Sequence, residues 1–316
     1  MFKSKVSSLG LLSMLMFASV ASASAFRAAD IVYLPAVGRL QGAAGAFFKT
    51  DVTITNMSDA RVVVQVAYVE GSGDNSSALN TLITLPTFAP RERREMIDAA
   101  RSALNRETAN GYLIFFSCRE GGNCTSCESN GGDCLNIAVQ GRIYNDTPGG
   151  TFGQSLPGIP WYSYAALTSA DRGTHRLSIN GIRNTADYRT NIGLVNASQF
   201  SSTVLRLRLF NNTGTQIGEM DQTLGPLGRI QFPVTQIAAA FSGDGYVTVE
   251  QVSATPSPGQ TDALPGFFAY GSLLDNRTSD PTTLEAQFDV PLPFECAFGS
   301  QAQPRRMISR EGSADR

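Results

Sequence analysis

The chain is expected to be all-β, with two tandem Ig-like antiparallel β-sandwich domains, each carrying one short helix. Three observations predict this. Apolar and polar residues alternate over short stretches, most clearly in Leu205-Arg206-Leu207-Arg208-Leu209, and a period of two sets one face of a strand against a core. Gly, Asn, Asp and Pro interrupt these stretches at short intervals, as turns between strands require. One block also recurs: Phe48-Lys49-Thr50-Asp51-Val52-Thr53-Ile54-Thr55-Asn56 aligns without a gap with Tyr188-Arg189-Thr190-Asn191-Ile192-Gly193-Leu194-Val195-Asn196.

Each block reads aromatic, basic, Thr, Asp or Asn, then alternating apolar positions that end in Asn. Val52 with Ile54, and Ile192 with Leu194, are expected to point to one face of a strand. A second strand follows in each half, at 62–69 and at 204–210. Then come a proline turn (Ala89-Pro90, Gly225-Pro226), a short helical stretch (95–104, 234–241) and a turn signal opening a further strand. That signal is Asn110-Gly111-Tyr112 in one half and Asp244-Gly245-Tyr246 in the other. The last matched segment is Gly141-Arg142-Ile143-Tyr144-Asn145-Asp146 against Gly271-Ser272-Leu273-Leu274-Asp275-Asn276. These landmarks place the first sandwich at 26–155, with a Cys-rich loop at 118–134, and the second at 172–295. An aromatic and Pro-containing linker lies between them at 156–171, and a polar tail follows at 296–316. An immunoglobulin domain proper wants a buried Trp beside paired Cys. Here the single Trp, Trp161, lies between the units.

Phe-x-Thr-Asp-x-x-x-x-Asn blocks, a Thr151-Phe152-Gly153-Gln154 element and a late Asp275-Asn276-Arg277-Thr278 together resemble tandem repeats of uncharacterised secreted bacterial proteins. The resemblance covers both units but neither the Cys-rich loop nor the tail. It implies an exported β-sandwich protein and brings no catalytic residues with it.

Residues 1–25 read as a secretory signal: Lys3 and Lys5, an apolar run at 9–20, then Ala21-Ser22-Ala23-Ser24-Ala25 for a peptidase. Cleavage is expected after Ala25, with Ala23 as the alternative, giving a secreted, periplasmic or cell-surface protein. No later stretch reaches the ~20 apolar residues of a membrane span. Removing Lys3 and Lys5 from 25 cationic side chains set against 27 acidic ones leaves a net charge of about −4. With no clustered cations, nucleic acid is excluded as a partner.

Candidate chemistry is sparse. The single histidine, His175, sits in Arg172-Gly173-Thr174-His175-Arg176, with no Gly-x-Ser-x-Gly elbow to serve; it reads as a loop residue. A carboxylate pair could do glycosidase work without it, but no pair is singled out. No phosphate-cradling or dinucleotide glycine motif precedes a helix, so no cofactor is expected. Cys118, Cys124, Cys127 and Cys134 crowd one Gly/Asn/Ser-rich loop, and Cys296 stands apart. In an oxidising compartment they read as disulfides, Cys118 with Cys134 closing the base of the loop; tetrahedral zinc and redox chemistry are the alternatives. Asn-x-Ser/Thr sequons at Asn56, Asn75, Asn123, Asn145, Asn196, Asn211 and Asn276 read as turn residues. Trp161, Tyr162 and Tyr164 form the densest aromatic cluster outside the strands. They suit either a plug that sets the placement of the two domains, stiffened by Pro157 and Pro160, or a ligand platform.

The expected function is therefore that of a non-enzymatic exported surface, adhesion or scaffold protein binding envelope or extracellular proteins or glycans. The alternative is a carbohydrate-binding accessory module or a carboxylate-based hydrolase.

Overall fold

The computed structural model describes residues 28–42, 45–124, 133–161, 163, 165–166, 176–260 and 266–288. The expectations for the signal 1–25, Cys127, Tyr162, Tyr164, His175, Cys296 and the tail 296–316 lie outside them. The first unit contains β1 (Ile31–Gln41), β2 (Phe47–Asn56), β3 (Val62–Glu70), β4 (Ile83–Thr84), β5 (Arg93–Met96), the one-turn helix α1 (Ala99–Ser102), β6 (Ala109–Arg119), β7 (Ile137–Thr147), β8 (Gly150–Pro157) and β9 (Ile159–Pro160). The second contains β10 (Ala165–Ala166), β11 (Arg176–Asn184), β12 (Tyr188–Asn196), β13 (Ser201–Asn211), β14 (Gln216–Leu224), β15 (Arg229–Pro233), β16 (Gly243–Pro256), β17 (Gly266–Asp275) and β18 (Pro281–Phe288).

Every strand pairing is antiparallel, and the protein is an all-β sandwich. In the first unit β4-β3-β6-β1 forms one sheet and β5-β2-β7-β8 the other, with β9 continuing from β8 to pair with β1. In the second unit the order is β14-β13-β16-β11 against β15-β12-β17, and the single strand β18 bends across to pair with both β17 and β11. The two halves thus run through the same order.

The agreement extends to residues. The aligned blocks become β2 and β12. Their partners β7 and β17 run opposite in the same register, from Phe48↔Asn145 to Asn56↔Ile137 and from Tyr188↔Asp275 to Asn196↔Phe267. Both first strands slip register at the same place, between Leu34 and Val37 and between Ile179 and Ile182. Just beyond the slip, a buried threonine ties one sheet to the other. Thr50 Oγ1 accepts from the Gly38 N–H at 2.8 Å and donates to the Gly38 carbonyl at 2.9 Å. Thr190 does the same with Arg183 at 2.9 and 2.7 Å.

The terminal asparagines are equally structural. The Asn56 amide donates to the carbonyls of Ala60 and Ala89, and that of Asn196 to those of Ser201 and Gly225. Each pins its proline turn, in which the residue after proline is left-handed: Arg91 at φ 58° and Leu227 at φ 53°. Their side-chain nitrogens are fully engaged and the residues are 1 % and 0 % exposed, which leaves neither sequon able to carry a glycan.

Two local expectations change. Asn110-Gly111 and Asp244-Gly245 lie inside β6 and β16, not in turns. Glycine is required there by close approach, since a Cβ on Gly111 would sit 2.2 Å from the Val69 carbonyl oxygen. The helical stretches shrink to α1 and a 3-10 turn, Val234–Gln236, because pairing with β2 draws Glu95 and Met96 into β5 and Asp98 turns left-handed at φ 46°. Val52 and Ile54 fill the first core, and Ile192, Leu194, Leu205, Leu207 and Leu209 the second.

Thr190→Val keeps the side-chain shape but strips two part-buried hydrogen bonds from residue 183. It is expected to lower unfolding stability by about 1–3 kcal/mol, read as an earlier urea midpoint; an unchanged midpoint would show that the hydroxyl contributes nothing.

Candidate functional site

The sheet β4-β3-β6-β1 of the first unit is apolar on both faces. Val62, Val64 and Val66 enter the sandwich core, while Ala67 and Val69 face the other way, joined by Ile31, Tyr33, Tyr112, Ile114 and Phe116. None of these seven outward residues is more than 2 % exposed. Leu79, the cystine Cys118–Cys124 and Val195, Ala197, Leu227 and Phe268 of the second unit cover them.

This cover is held by main chain. Gly225 N donates to the Ser72 carbonyl at 2.8 Å, Arg229 N to Gly71 at 2.7 Å, and Asn75 N to Pro226 at 2.8 Å. Such contact leaves no room for side chains: a Cβ on Gly225 would lie 2.4 Å from the Gly73 carbonyl carbon, and one on Gly228 2.7 Å from the Ser72 oxygen. Leu227, left-handed and fully buried, inserts into the cluster while its carbonyl accepts from the Tyr112 hydroxyl at 3.0 Å. Burial pushes the Tyr112 hydroxyl pKa upward. The rings of Tyr33 and Phe268 meet at 4.9 Å between centroids.

Beside this apolar contact lies a polar seam. Arg229, 6 % exposed, donates to Asn110 Oδ1, Gln231 Oε1 and the Tyr270 hydroxyl, each at 2.9 Å. All these partners are uncharged, and its Nε is buried without a partner. The Asn110 N–H continues the seam by donating to the Tyr68 hydroxyl at 3.0 Å, and that hydroxyl donates to Glu70. Burial first, and the Glu70 acceptor second, push Tyr68 up to about 12. On the opposite side of the junction Ser272 donates to Gln154 of the Thr151–Gln154 element at 3.0 Å, and Thr283 donates to the Ser155 carbonyl at 2.7 Å.

Trp161 is half-buried, packs against both the core of the first unit and the apolar cluster shared by the two units, and donates from Nε1 to Asp30 at 2.9 Å. Of the linker aromatics expected to set the placement of the units, Tyr162 and Tyr164 lie outside the described residues; main-chain bonds between the 71–75 loop and the 225–229 turn also join the two units. The loop cysteines do form disulfides, but the expected pairing of Cys118 with Cys134 is corrected. Cys118 bonds Cys124, with Cα atoms 4.7 Å apart, because Gly121 at φ 86° folds the chain back; Cys134 lies across the ladder from Cys118 and is itself disulfide-bonded. Sulfurs so bonded are not thiolates, which removes the zinc alternative for Cys118, Cys124 and Cys134.

At the rim of the junction the β7–β8 hairpin meets the loop before β18 around an open groove of about 340 Å³. It is lined by Phe47, Asn145, Asp146, Thr147, Arg277 and Thr278, among others. Asp146 pairs with Lys49 and Arg277 with Asp187, at 3.6 and 2.6 Å. A guanidinium, Arg39, lies 5.2 Å from the centroid of the Phe47 ring. Sequence reasoning missed this convergence, because its residues come from three separate turns. Among the described residues no cluster of three or more His, Cys, Asp or Glu is placed to hold a metal, and no helix is long and apolar enough to cross a membrane.

Compared with protein-family models and with curated protein sequences, the chain matches none. Among solved structures it is similar to Bacteroides uniformis β-glucuronidase 2 covalently bound to cyclophellitol-6-carboxylate aziridine. That likeness has 9 % identity and a TM-score of 0.15, over 76 % of this chain and 24 % of that one. A glycosyl hydrolase family 2 member from Bacteroides cellulosilyticus is similar at 10 % identity and a TM-score of 0.17, over 80 % and 27 %. A structure of the infectious bursal disease virus Gx strain is similar at 11 % and 0.20, over 84 % and 73 %. The chain spans about a quarter of the hydrolases' length, and at these values no activity is inferred from them.

Leu227→Ala is expected to cost about 2–5 kcal/mol and to split one calorimetric unfolding transition into two, as the junction opens before either core. A single transition at the wild-type temperature would show that the junction does not couple the units. Alkali should weaken the same seam. An unfolded tyrosine ionises near 10, whereas folded Tyr68 holds its proton to about 12. Its contribution is therefore complete below pH ~10 and lost as pH rises towards 12. Tyr68→Phe should flatten the fall of the unfolding midpoint across that window.

Proposed function

We propose that this protein is a non-enzymatic exported surface, adhesion or scaffold component, in which two copies of one sandwich unit form a rigid body that holds a protein or glycan by its loops. The observation that carries the reading is the junction. Main-chain bonds and a shared apolar cluster join the two units, the 145–148 and 277–279 turns line one groove beside them, and pre-ordered loops lose little entropy when they bind. Matching strand order, register slips, threonine bridges and proline turns support a common origin of the two units. The disulfide and the signal-like residues 1–25 support export. Many carboxylates are already taken by arginines, Asp98 by Arg39, Asp221 by Arg206 and Glu250 by Arg208, which favours a structural over a hydrolytic role.

The groove at the junction rim is the proposed contact. An aromatic ring, an exposed carboxylate and an exposed guanidinium around about 340 Å³ suit a hydroxyl-rich or peptide ligand. That composition also favours the second reading, a carbohydrate-binding accessory module.

The test is binding of the chain lacking residues 1–25 to a glycan array and to extracts of bacterial envelope, beside Arg277→Ala and Asp146→Ala. The expected result is a ligand whose affinity falls at least about tenfold in either variant, the loss of roughly 1.4 kcal/mol that one polar contact can supply. A ligand bound equally by all three proteins would move the site elsewhere. Turnover of an array sugar would replace the scaffold reading with the enzymatic one.

A further inference from the structure

We infer that the chain is a terminated pair: the two faces through which further units of this kind would stack are blocked by charge and by side-chain bulk, so it remains monomeric. Each half of the working junction has a counterpart in the other unit, matched position by position through the strand registers.

The accepting face is the outer side of the β3–β6–β1 sheet. Its register pairs Ile31 with Phe116, Tyr33 with Ile114, Ala67 with Ile114 and Val69 with Tyr112. The corresponding pairs in the second unit are Arg176 with Glu250, Ser178 with Thr248, Arg208 with Thr248 and Phe210 with Tyr246. An apolar face that must be covered has become one that water can wet. Its charges are matched within the face: Arg206 lies 2.8 Å from Asp221, and Arg208 reaches both Glu219 and Glu250.

The inserting turn has changed in the same sense. Where the second unit presents Ala197, Gly225, Leu227 and Gly228, the first presents Met57, Ala89, Arg91 and Glu92 on the same backbone, with Arg91 left-handed as Leu227 is. Here too the charges close on their neighbours, Arg91 on Asp59 at 2.8 Å, Arg61 on Glu120 at 2.6 Å and Arg94 on Glu92 at 2.6 Å. The β-carbons of Ala89 and Glu92 stand where the junction tolerates none. Stacking such surfaces would strip water from ion pairs that are already satisfied, for little return, and a polar outer face is how a stacked array ends.

Sedimentation velocity on the chain lacking residues 1–25, at low and high salt, should show a monomer throughout. Two variants then restore the counterpart residues: Ala89→Gly with Arg91→Leu and Glu92→Gly on the turn, and Arg206→Gln with Arg208→Ala, Phe210→Val and Glu250→Phe on the sheet. Each is first checked for a wild-type circular dichroism spectrum and unfolding midpoint, and a set that fails the check is replaced by its Arg91→Leu or Glu250→Phe member alone. Mixing the two folded variants should shift the boundary to a saturable complex that neither forms alone. The inference is overturned if the wild-type chain self-associates with cross-links between its Arg91 and Arg208 faces. It is equally overturned if the folded variants, mixed, stay monomeric or aggregate without saturating.

Discussion

One sheet of the first unit cannot stand in water on either side, and the arrangement of the molecule follows from covering it. Ile31, Tyr33, Val69, Tyr112, Ile114 and Phe116 would each cost about 1.5–3 kcal/mol if exposed, more in sum than a domain of this size has to spare. The loop after β3, the Cys118–Cys124 cystine and the end of the second unit share the task. From this come the glycines at 225 and 228, which let two backbones meet, and the left-handed Leu227. A non-glycine residue in that conformation costs of order 1 kcal/mol, a penalty smaller than the return from burying a leucine.

Apolar contact alone would allow the units to slide. The Arg229 seam opposes that, because a buried guanidinium is held by Asn110 of one unit and by Gln231 and Tyr270 of the other. Moving the turn would leave a cation stranded in a medium of low polarity, at several kcal/mol. The seam therefore sets position and the cluster supplies affinity.

The residues most visible as a motif turn out to be architectural. Thr50 and Thr190 bridge the two layers of their sandwiches, and Asn56 and Asn196 anchor the proline turns. Their recurrence reflects the demands of a backbone that changes sheets at a register slip, where ladder bonds are interrupted and side chains must substitute. The turns at 145–148 and 277–279, which line the groove at the rim of the junction, are made of residues that taken alone are unremarkable.

Strand content and core faces were legible in the sequence wherever one rule governed. Leu205, Leu207 and Leu209 alternate with arginines because one side meets the core and the other water, and Val52 with Ile54 obeys the same period. The aligned blocks likewise marked two halves of one plan. What the sequence could not settle depends on partners far along the chain. The stretch at 62–69 reads as a strand, but not as one covered on its outer side as well. Gly111 looks like a turn until the Val69 carbonyl is placed beside it. Cys118 could pair with any of its neighbours until the fold at Gly121 chose Cys124. Local pattern specifies which side of a strand avoids water; only the tertiary structure specifies what takes the water's place, because that is decided by contacts between residues more than a hundred positions apart, such as Tyr112 with Leu227.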